Sequence, residues 1–387
     1  MEICSVISLT DARECIATQV HSLSSATISL SQASGFVLAE DIFSDADYPS
    51  ADCSMMDGYV IGKNEVPGTF TFAGEIASGV APDRFLESGE AMRIFTGALL
   101  PSGGGRVLMQ EDCFREKDII SVETFSKSLY VRPKGSEAKI NDLILLAGTR
   151  IGASEMAILA QTGCVYPKVI RKPIIRHLAS GDELVAPGEK PELEQIRDTN
   201  TSLIAGLLGS MGLGAESSQV ADDFSAMKRL AEGNWDLLLI SGGASVGDHD
   251  HGASTLESMG FVIHFDKINL RPGKPLTFAT RDNQIAFVIP GNPVSHFVCF
   301  HVAIRLAIEL MTGITPSWQF IDLEIVGGEP LRSDPRETFW PAEVSYNAGR
   351  IIVTPKRWST SGDTFSLAGT NALLRIDKSS KLNEIAR

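Results

Sequence analysis

The sequence has no pair of cysteines spaced as C-x-x-C. Its six cysteines are scattered over 387 residues. Structural zinc sites and disulfide frameworks need cysteines at close, regular spacings. We therefore predict reduced thiols in a cytoplasmic protein that has neither feature.

Positive charge is also scarce. The 34 lysines and arginines are outnumbered by 48 aspartates and glutamates, which gives a net charge of −14. This balance argues against non-specific binding to nucleic acid or to anionic lipid. If the ligand is an anion, the fold must gather cations locally to bind it.

No apolar run of 18 residues is present. The longest candidate, residues 294–311, is interrupted by His296, His301, Arg305 and Glu309. The last three recur every four residues and so form one polar stripe on a mostly buried helix. The N-terminus lacks the basic and apolar stretches of a signal peptide. The sequence predicts a soluble protein that does not span a membrane.

The chain changes character along its length. Residues 9–40 have helical spacing, with Thr10 or Asp11 as the cap, and residues 43–137 alternate short β-rich runs with Gly, Pro and Ser turns. Strands and helices alternate in residues 173–314, before a β-rich C-terminal region. A chain of this length predicts two to four domains.

The alternating region predicts a parallel sheet covered by helices on both faces. It contains a helix that begins at Thr199 or Asn200, a buried strand at 236–241 and a hairpin turn at 282–283. In such a sheet, ligands bind beyond the carboxyl ends of the strands.

The strongest functional signal is the loop SGGASVGDHDH, residues 241–251, which follows the buried strand. Gly242 and Gly243 allow the backbone to approach a phosphate or oxyanion closely. Asp248 and Asp250 supply hard oxygen ligands suited to Mg²⁺. The alternative is a flexible surface turn with solvated histidines.

Two further loops carry charge. Arg271 and Lys274 flank a Pro-Gly turn, which holds both cations on a rigid bend as binding of a phosphate or another oxyanion requires. An exposed basic turn is the alternative. Asp182 and Glu183, in SGDEL, follow the first strand of the same sheet and would project into the same crevice. Capping of a helix by Asp182 is the alternative there.

Two other turns have sufficient structural explanations. The turn PGNP, residues 290–293, suits a helix start, although such a terminus also binds anions. Asp57 lies in a turn before a strand. Together, the residues predict a phosphate and Mg²⁺ site on an α/β domain joined to β modules.

In this order, the motifs resemble those of the molybdopterin molybdenumtransferase family, which includes the bacterial MoeA proteins and the E domain of gephyrin. The matching segments extend over essentially the whole chain: SMMDGYVI (54–61), GEAMRIFTGALLP (89–101), VLMQED (107–112), SGDEL (180–184), DTN (198–200), SGGASVGDHD (241–250), RPGKP (271–275) and PGNPVS (290–295). The resemblance implies a Mg²⁺-dependent transferase that inserts molybdenum from molybdate into adenylylated molybdopterin and releases AMP. The sulfur ligands of molybdenum come from the substrate, so the protein needs no cysteine cluster.

The family's fold is multidomain α/β plus β. It implies a molybdopterin-binding-like α/β domain with a parallel-rich sheet at 173–314, an inserted β domain at 44–138, a C-terminal β domain at 315–387, and a discontinuous N-terminal helical or linker domain at 1–43 and 139–172. The resemblance also implies a homodimer, in which the β domain of one subunit shares the active cleft of its partner.

The resemblance assigns site residues one by one. Four acidic residues are expected to be catalytic: Asp57, Glu183, Asp222 and Asp250. Asp250 and then Glu183 are the expected Mg²⁺ ligands. Eight residues are expected to bind the substrates: Thr96, Gly242, Gly243, Ser245, Arg271, Lys274, Arg336 and Ser361. As structural alternatives, Asp222 could cap the following helix and Thr96 could be an ordinary strand-end hydroxyl.

The chain departs from the family pattern at several positions. Ser136 and Glu137 replace a Glu-Asp pair, Pro341 replaces an arginine, and Thr360 replaces the glycine of a Gly-Ser turn. The second hypothesis is a molybdopterin adenylyltransferase, because the α/β domain resembles the one that makes the adenylylated intermediate. The departures at Ser136 and Pro341 permit a third, a non-enzymatic paralogue that binds or scaffolds the cofactor. No residue separates molybdate from tungstate.

Overall fold

A computed structural model describes most of the chain. The described residues are 6–242, 251–316, 320–327, 331, 334–347 and 349–376. Their contacts divide the chain into two compact units. Unit 1 contains residues 1–39, 148–152 and 168–387, and unit 2 contains residues 40–147 and 153–167. The finer division into four domains stays a prediction.

The N-terminal part of unit 1 is only partly helical. It consists of α1 (Leu9–Gln19), β1 (Ser25–Thr27), a 3-10 helix (Leu30–Gln32) and β2 (Val37–Leu38). The prediction of helix over residues 9–40 is therefore wrong beyond α1. The cap of α1 is Ser8, whose side chain accepts from the backbone nitrogen of Asp11 while the Asp11 carboxylate accepts from the backbone nitrogen of Ser8. Asp11 is thus the partner of the cap, and Thr10 does not cap.

Unit 2 is built mainly from strands, as its Gly, Pro and Ser turns predict. Its elements are β3 (Ile42–Phe43), β4 (Cys53–Ser54), β5 (Gly58–Gly62), β6 (Gly68–Ile76), β7 (Glu90–Ile94), β8 (Gly104–Met109), a 3-10 helix (Gln110–Asp112), β9 (Phe114–Glu116), β10 (Ile119–Val122), β11 (Val131–Arg132), β12 (Leu143–Leu145) and α2 (Ala153–Gln161). Six strands form the main sheet in the order β8-β5-β7-β6-β10-β9. Tyr59 and Ile61 of β5 enter one apolar cluster and Val60 enters another, so both faces of this strand are buried.

The remaining elements all belong to unit 1. They are β13 (Lys168–Ile170), β14 (Ile175–Ser180), β15 (Leu184–Val185), β16 (Ile196–Arg197), α3 (Asn200–Ser210), β17 (Ala215–Val220), α4 (Phe224–Ala231), β18 (Leu237–Ser241), α5 (His251–Ser258), β19 (Val262–Phe265), β20 (Leu270–Arg271), β21 (Thr277–Arg281), β22 (Gln284–Ile289), α6 (Pro293–Cys299), a π-helical segment (Phe300–Ile304), α7 (Arg305–Met311), β23 (Glu324–Ile325), β24 (Glu337–Asn347), β25 (Arg350–Pro355), a 3-10 helix (Thr364–Leu367) and β26 (Ala372–Ile376).

A six-stranded sheet forms the core of unit 1. Its order is β17-β14-β18-β22-β21-β19. The first four strands are parallel, whereas β21 runs antiparallel to β22 through a tight turn at Asp282. The sheet is therefore parallel-rich but mixed. Leu237 and Leu239 of β18 pack into a different apolar cluster from Leu238 and Ile240, so helices cover both faces and the whole apolar run is buried.

The long helix of unit 1 runs through α6, the π-helical segment and α7. It spans Pro293–Met311 and is long and apolar enough to cross a membrane, but 72% of its most apolar window is buried inside the protein. This is the burial of a core helix. Arg305 and Glu309, two members of the predicted polar stripe, form an ion pair of 2.7 Å one turn apart.

The C-terminal sheet includes a strand from the α/β region. Its order is β20-β24-β25-β23, with β26 paired to β24. Leu270 pairs with Glu337 and Arg271 with Thr338. The RPGKP turn, which follows β20, is thereby attached to the C-terminal sheet.

Candidate functional site

Four parallel strands of the six-stranded sheet end at the same edge. β14 leads into the SGDEL loop, β17 into Asp222, β18 into Gly242 and β22 into the PGNP turn. The strand order reverses around β14. The next strand of this sheet along the chain, β17, lies on one side of β14, and the one after it, β18, lies on the other. Such a switch point opens a crevice beyond the carboxyl ends of the strands. The predicted loops therefore meet where this fold places ligands.

Hydrogen bonds at this edge join the ends of two strands through the acidic residues Asp182 and Asp222. The Ser180 hydroxyl donates to Asp222 Oδ1 at 2.5 Å, and the backbone nitrogen of Asp222 donates to Asp182 Oδ1 at 3.1 Å. Neither proposed capping alternative holds. Asp223 caps α4 by accepting from the nitrogen of Ala226 at 2.7 Å. Exposed carboxylates thus lie beside one another, and Glu183 is exposed in the same loop.

The beginning of the glycine loop fits tightly against its neighbours. Gly242 has φ +90°, and a Cβ added there would lie 2.5 Å from the carbonyl oxygen of Ser180. A Cβ at Gly291 would lie 3.7 Å from the Gly242 Cα. Three of the predicted loops are therefore in contact, and Gly242 admits only glycine. Gly243, Ser245 and Asp250 lie outside the described residues, as does Asp248.

The two predicted anion-binding arginines are held by one carboxylate that the sequence did not reveal. Asp334 accepts from Arg271 Nη1 at 2.9 Å and from Arg336 Nε and Nη2 at 2.8 and 3.1 Å. These arginines, Arg336 first, lower the pKa of Asp334 to about 2. Arg271 also lies over the Trp358 ring, 5.3 Å from its centroid. Two cations and one anion leave the group with a net positive charge.

The PGNP turn links the strand ends to the C-terminal region. Asn292 Nδ2 donates to the Ser361 hydroxyl oxygen at 2.9 Å, and the nitrogen of Val294 donates to the carbonyl of Ser361 at 3.0 Å. Lys274 is exposed and has no ion-pair partner within the described ranges. In those same ranges no hydrogen bond or ion pair joins the Asp222 group directly to the arginine pair.

Asp57 and Thr96 are brought together within unit 2. Asp57 lies between β4 and β5, and its Oδ1 accepts from the nitrogen of Thr96 at 2.7 Å and from its hydroxyl at 2.8 Å. These two bonds, with a smaller effect of the Arg93 charge, lower the pKa of the exposed Asp57. The Thr96 hydroxyl is therefore bonded rather than free. At one departure from the family pattern, Glu137 pairs with Arg132 at 2.9 Å.

The carboxylates of the SGDEL loop and Asp222 are hard oxygen donors, the type that Mg²⁺ binds. Within the part of the chain that the structure describes, no group of three or more His, Cys, Asp or Glu side chains could hold a metal ion. The donor chemistry fits Mg²⁺, but a full ligand set requires at least one donor from elsewhere, such as Asp250.

Three family models match the chain. They are the MoeA N-terminal region (domain I and II) over residues 7–163, a probable molybdopterin binding domain over residues 176–309, and the MoeA C-terminal region (domain IV) over residues 325–384. Together they follow one another along almost the whole sequence.

Individual relatives match over similar lengths. A "Molybdopterin molybdenumtransferase" from a Nostoc species is 34% identical over 365 residues, which cover 89% of this chain and 83% of that protein. A protein of the same name from Staphylococcus aureus is 28% identical over 389 residues, covering 97% of this chain and 92% of that protein. The crystal structure of a molybdopterin biosynthesis MoeA protein from Pyrococcus horikoshii has a TM-score of 0.81 and 25% identity, and covers 97% of this chain and 96% of that one.

Proposed function

The chain belongs to the molybdopterin molybdenumtransferase family, and we propose that it carries out the family's reaction at the carboxyl edge of the six-stranded sheet. That reaction inserts molybdenum from molybdate into adenylylated molybdopterin and releases AMP. The observation that carries the proposal is the convergence of the SGDEL loop, Gly242 and the PGNP turn within one compact unit.

The glycine at the start of the loop supports binding of the phosphate side of the substrate. Gly242 packs against Ser180 and Gly291 without a side chain in the way. Exposed backbone N–H groups of such turns bind phosphate oxygens. Gly243 and Ser245 continue the same loop and are proposed to contact the substrate as well.

The positively charged group supports binding of the oxyanion. Asp334 orients Arg271 and Arg336 and leaves an excess of positive charge, and Lys274 adds an exposed ammonium on the same rigid turn. Ser361 lies at the adjoining PGNP turn. A tetrahedral dianion needs several fixed donors of this kind in a protein with a net charge of −14.

The acidic residues are proposed to hold Mg²⁺ and to position the phosphoanhydride. Glu183 and Asp250 are the proposed ligands, and Asp222 is the neighbouring carboxylate that Ser180 and Asp182 fix in place. When bound, Mg²⁺ would neutralise negative charge on the phosphates. The chain's own contribution is to orient these oxygen donors before the substrate arrives.

We further propose a cytoplasmic homodimer with a shared cleft. Asp57 of the partner subunit and Thr96 of the partner subunit would complete the site. The mutual bonding of these two residues on an exposed turn supports this role, because it pre-orients a carboxylate that stays ionised.

Release of AMP tests the function directly. Purified protein is incubated with adenylylated molybdopterin and molybdate, with and without Mg²⁺, and AMP is quantified. We expect Mg²⁺-dependent release with molybdate, and parallel reactions with tungstate compare the two metals. No release in the complete mixture would refute the proposal.

Further experiments distinguish the competing hypotheses and test Asp250 as a metal ligand. Formation of adenylylated molybdopterin from ATP and molybdopterin would identify an adenylyltransferase instead. Unchanged AMP release by an Asp250→Ala variant would exclude Asp250 as a metal ligand that the reaction needs. Binding of the cofactor without any turnover would identify a binding or scaffolding protein.

A further inference from the structure

A buried polar cluster lies beneath the loops of the proposed site. His177 of β14, Ser241 at the end of β18 and His296 of α6 are each at most 1% exposed. The Ser241 hydroxyl oxygen lies 2.5 Å from His177 Nε2 and 2.8 Å from His296 Nε2. His296 Nδ1 lies 2.9 Å from the carbonyl oxygen of Pro290, the first residue of the PGNP turn. Neither the sequence motifs nor the proposed chemistry assigns these side chains a role.

The carbonyl of Pro290 fixes the direction of every hydrogen bond in the cluster. A carbonyl oxygen only accepts, so His296 Nδ1 carries a hydrogen. Burial lowers the pKa of His296 to about 3 and that of His177 to about 4, so both rings are neutral at pH 7. His296 Nε2 is then a bare acceptor, and the Ser241 hydroxyl must donate to it.

The same reasoning determines the other histidine. Because the single hydroxyl hydrogen of Ser241 is used on His296, His177 Nε2 must carry a hydrogen and donate to the Ser241 oxygen. His177 Nδ1 is consequently bare. It has no hydrogen-bond partner among the described residues, so the opposite direction would leave a buried N–H there without an acceptor. The two histidines therefore have opposite tautomers.

This chain of bonds ends on the turn that the substrate is proposed to reach. A second buried side chain acts on the next carbonyl, because Asn200 Nδ2 donates to the oxygen of Gly291 at 2.7 Å. In a trans peptide, the C=O and the following N–H point in opposite directions. With both carbonyls bound by buried donors, the N–H groups of Gly291 and Asn292 point away from the core, at residues that are exposed.

We propose that His177, Ser241 and His296, together with Asn200, are positioning residues that hold the carbonyls of the PGNP turn inward and so present the N–H groups of Gly291 and Asn292 to an anionic oxygen of the substrate. The inference rests on the proposed function for the identity of that substrate. The bonds also tie β14 and β18 to the turn, and the backbone nitrogen of Gly242 donates to Ile289 just before it at 3.0 Å.

The tautomers provide a test that does not depend on activity. In protein labelled with ¹⁵N-histidine, long-range ¹H–¹⁵N correlations identify the protonated ring nitrogen, and His177→Gln and His296→Gln variants assign the signals. We expect His296 with hydrogen on Nδ1 and His177 with hydrogen on Nε2 at pH 7. The same tautomer for both rings, or a charged ring, would overturn the proposed hydrogen-bond directions.

Kinetics of a Ser241→Ala variant test the positioning role of the cluster. Removal of the central hydroxyl breaks two bonds, and we expect KM for adenylylated molybdopterin to rise roughly tenfold, with kcat changed less than about twofold. Ser366→Ala is the matched control, because Ser366 is also a buried, hydrogen-bonded serine but lies in the C-terminal region. An unchanged KM, or a loss confined to kcat, would contradict the positioning role.

A second variant, His296→Asn, tests the same role in case Ser241→Ala does not fold. In His296→Asn, the amide nitrogen takes the place of Nδ1 and keeps the bond to Pro290, while the acceptor for Ser241 is lost. We expect KM to rise in the same direction, but by less than for Ser241→Ala. If the wild-type protein releases no AMP, the proposed function fails. The tautomer measurement still tests the hydrogen-bond directions from His177 to the carbonyl of Pro290.

Discussion

Asp57 accepts two hydrogen bonds from Thr96 on a single carboxylate oxygen, one from the backbone nitrogen and one from the hydroxyl. Both donors favour the ionised carboxylate, so the pKa of Asp57 lies below its ordinary value. In a Thr96→Val variant, the hydroxyl is lost and the shape is kept, and we expect that pKa to rise. Carboxyl ¹³C titration measures it. We also expect kcat/KM to fall up to about tenfold, from the loss of one oriented hydrogen bond. Thr96→Ser keeps both donors and should behave as wild type; an unchanged Asp57 titration in the valine variant contradicts the assignment.

Asp334 should stabilise the protein in a pH-dependent way. Its pKa is lowered from 3.8 to about 2 in the folded state by Arg336 and Arg271. The stabilisation is therefore fully present above pH 3.8 and is lost as the pH falls through about 2. We expect Asp334→Asn to lower the free energy of unfolding by about 1 kcal/mol at pH 7, a value reduced for solvent screening. Urea unfolding at several pH values measures the difference.

An exposed aspartate of the C-terminal region provides the control for that series. Asp322→Asn should leave the free energy of unfolding unchanged within about 0.5 kcal/mol, as is usual for surface substitutions. A difference between Asp334→Asn and wild type that stays constant down to pH 2 would show that the arginines do not set the pKa of Asp334.

Two glycine-to-alanine variants should have opposite effects. At Gly242, φ is +90° and the new Cβ would lie 2.5 Å from a backbone oxygen, so we expect a loss of more than about 1 kcal/mol of stability and a higher KM. Gly209 lies within α3, and its added Cβ would meet nothing within 4 Å. There, alanine should stabilise by up to about 1 kcal/mol. Chemical unfolding compares them, and equal effects would contradict the strained conformation of Gly242.

Removal of the charge from Glu183 should alter the response to Mg²⁺. If this exposed carboxylate is a ligand, Glu183→Gln raises the Mg²⁺ concentration for half-maximal AMP release at least about tenfold, in line with the loss of a ligand that interacts strongly with a divalent ion. Glu189→Gln, which changes another exposed glutamate between β15 and β16, should leave the curve in place. Coincident curves for both variants would exclude Glu183 as a ligand.

Local elements could be predicted from the sequence because burial leaves a local pattern. The apolar run in β18, the start of α3 at Asn200 and the hairpin at Asp282 all lie where residue spacing and turn chemistry indicate. The first segment was mispredicted because apolar residues in the short strands β1 and β2 happen to continue the helical spacing of α1. Tertiary pairing with β13 decides their conformation.

The contacts within the site were harder to predict, because they join distant parts of the chain. Arg271 and Asp334 are 63 residues apart in sequence, and His177 and Ser241 are 64 apart. Nothing in the local pattern around Asp334 marks it as a counter-ion for two arginines, although its position two residues before Arg336 is compatible with a pair. Strand ends with acidic and glycine-rich loops could be recognised, but the bonds between them depend on the strand order.

The pairing of β20 with β24 means that the α/β region is not a detachable module. Its RPGKP turn takes its place from a strand that belongs to the C-terminal sheet. A truncation before β24 would leave the backbone of Leu270 and Arg271 without its ladder partner and would remove Asp334 as well. Fragments designed to isolate the α/β region must therefore include the C-terminal sheet, because without it they lack Asp334 and the arrangement of arginines around it.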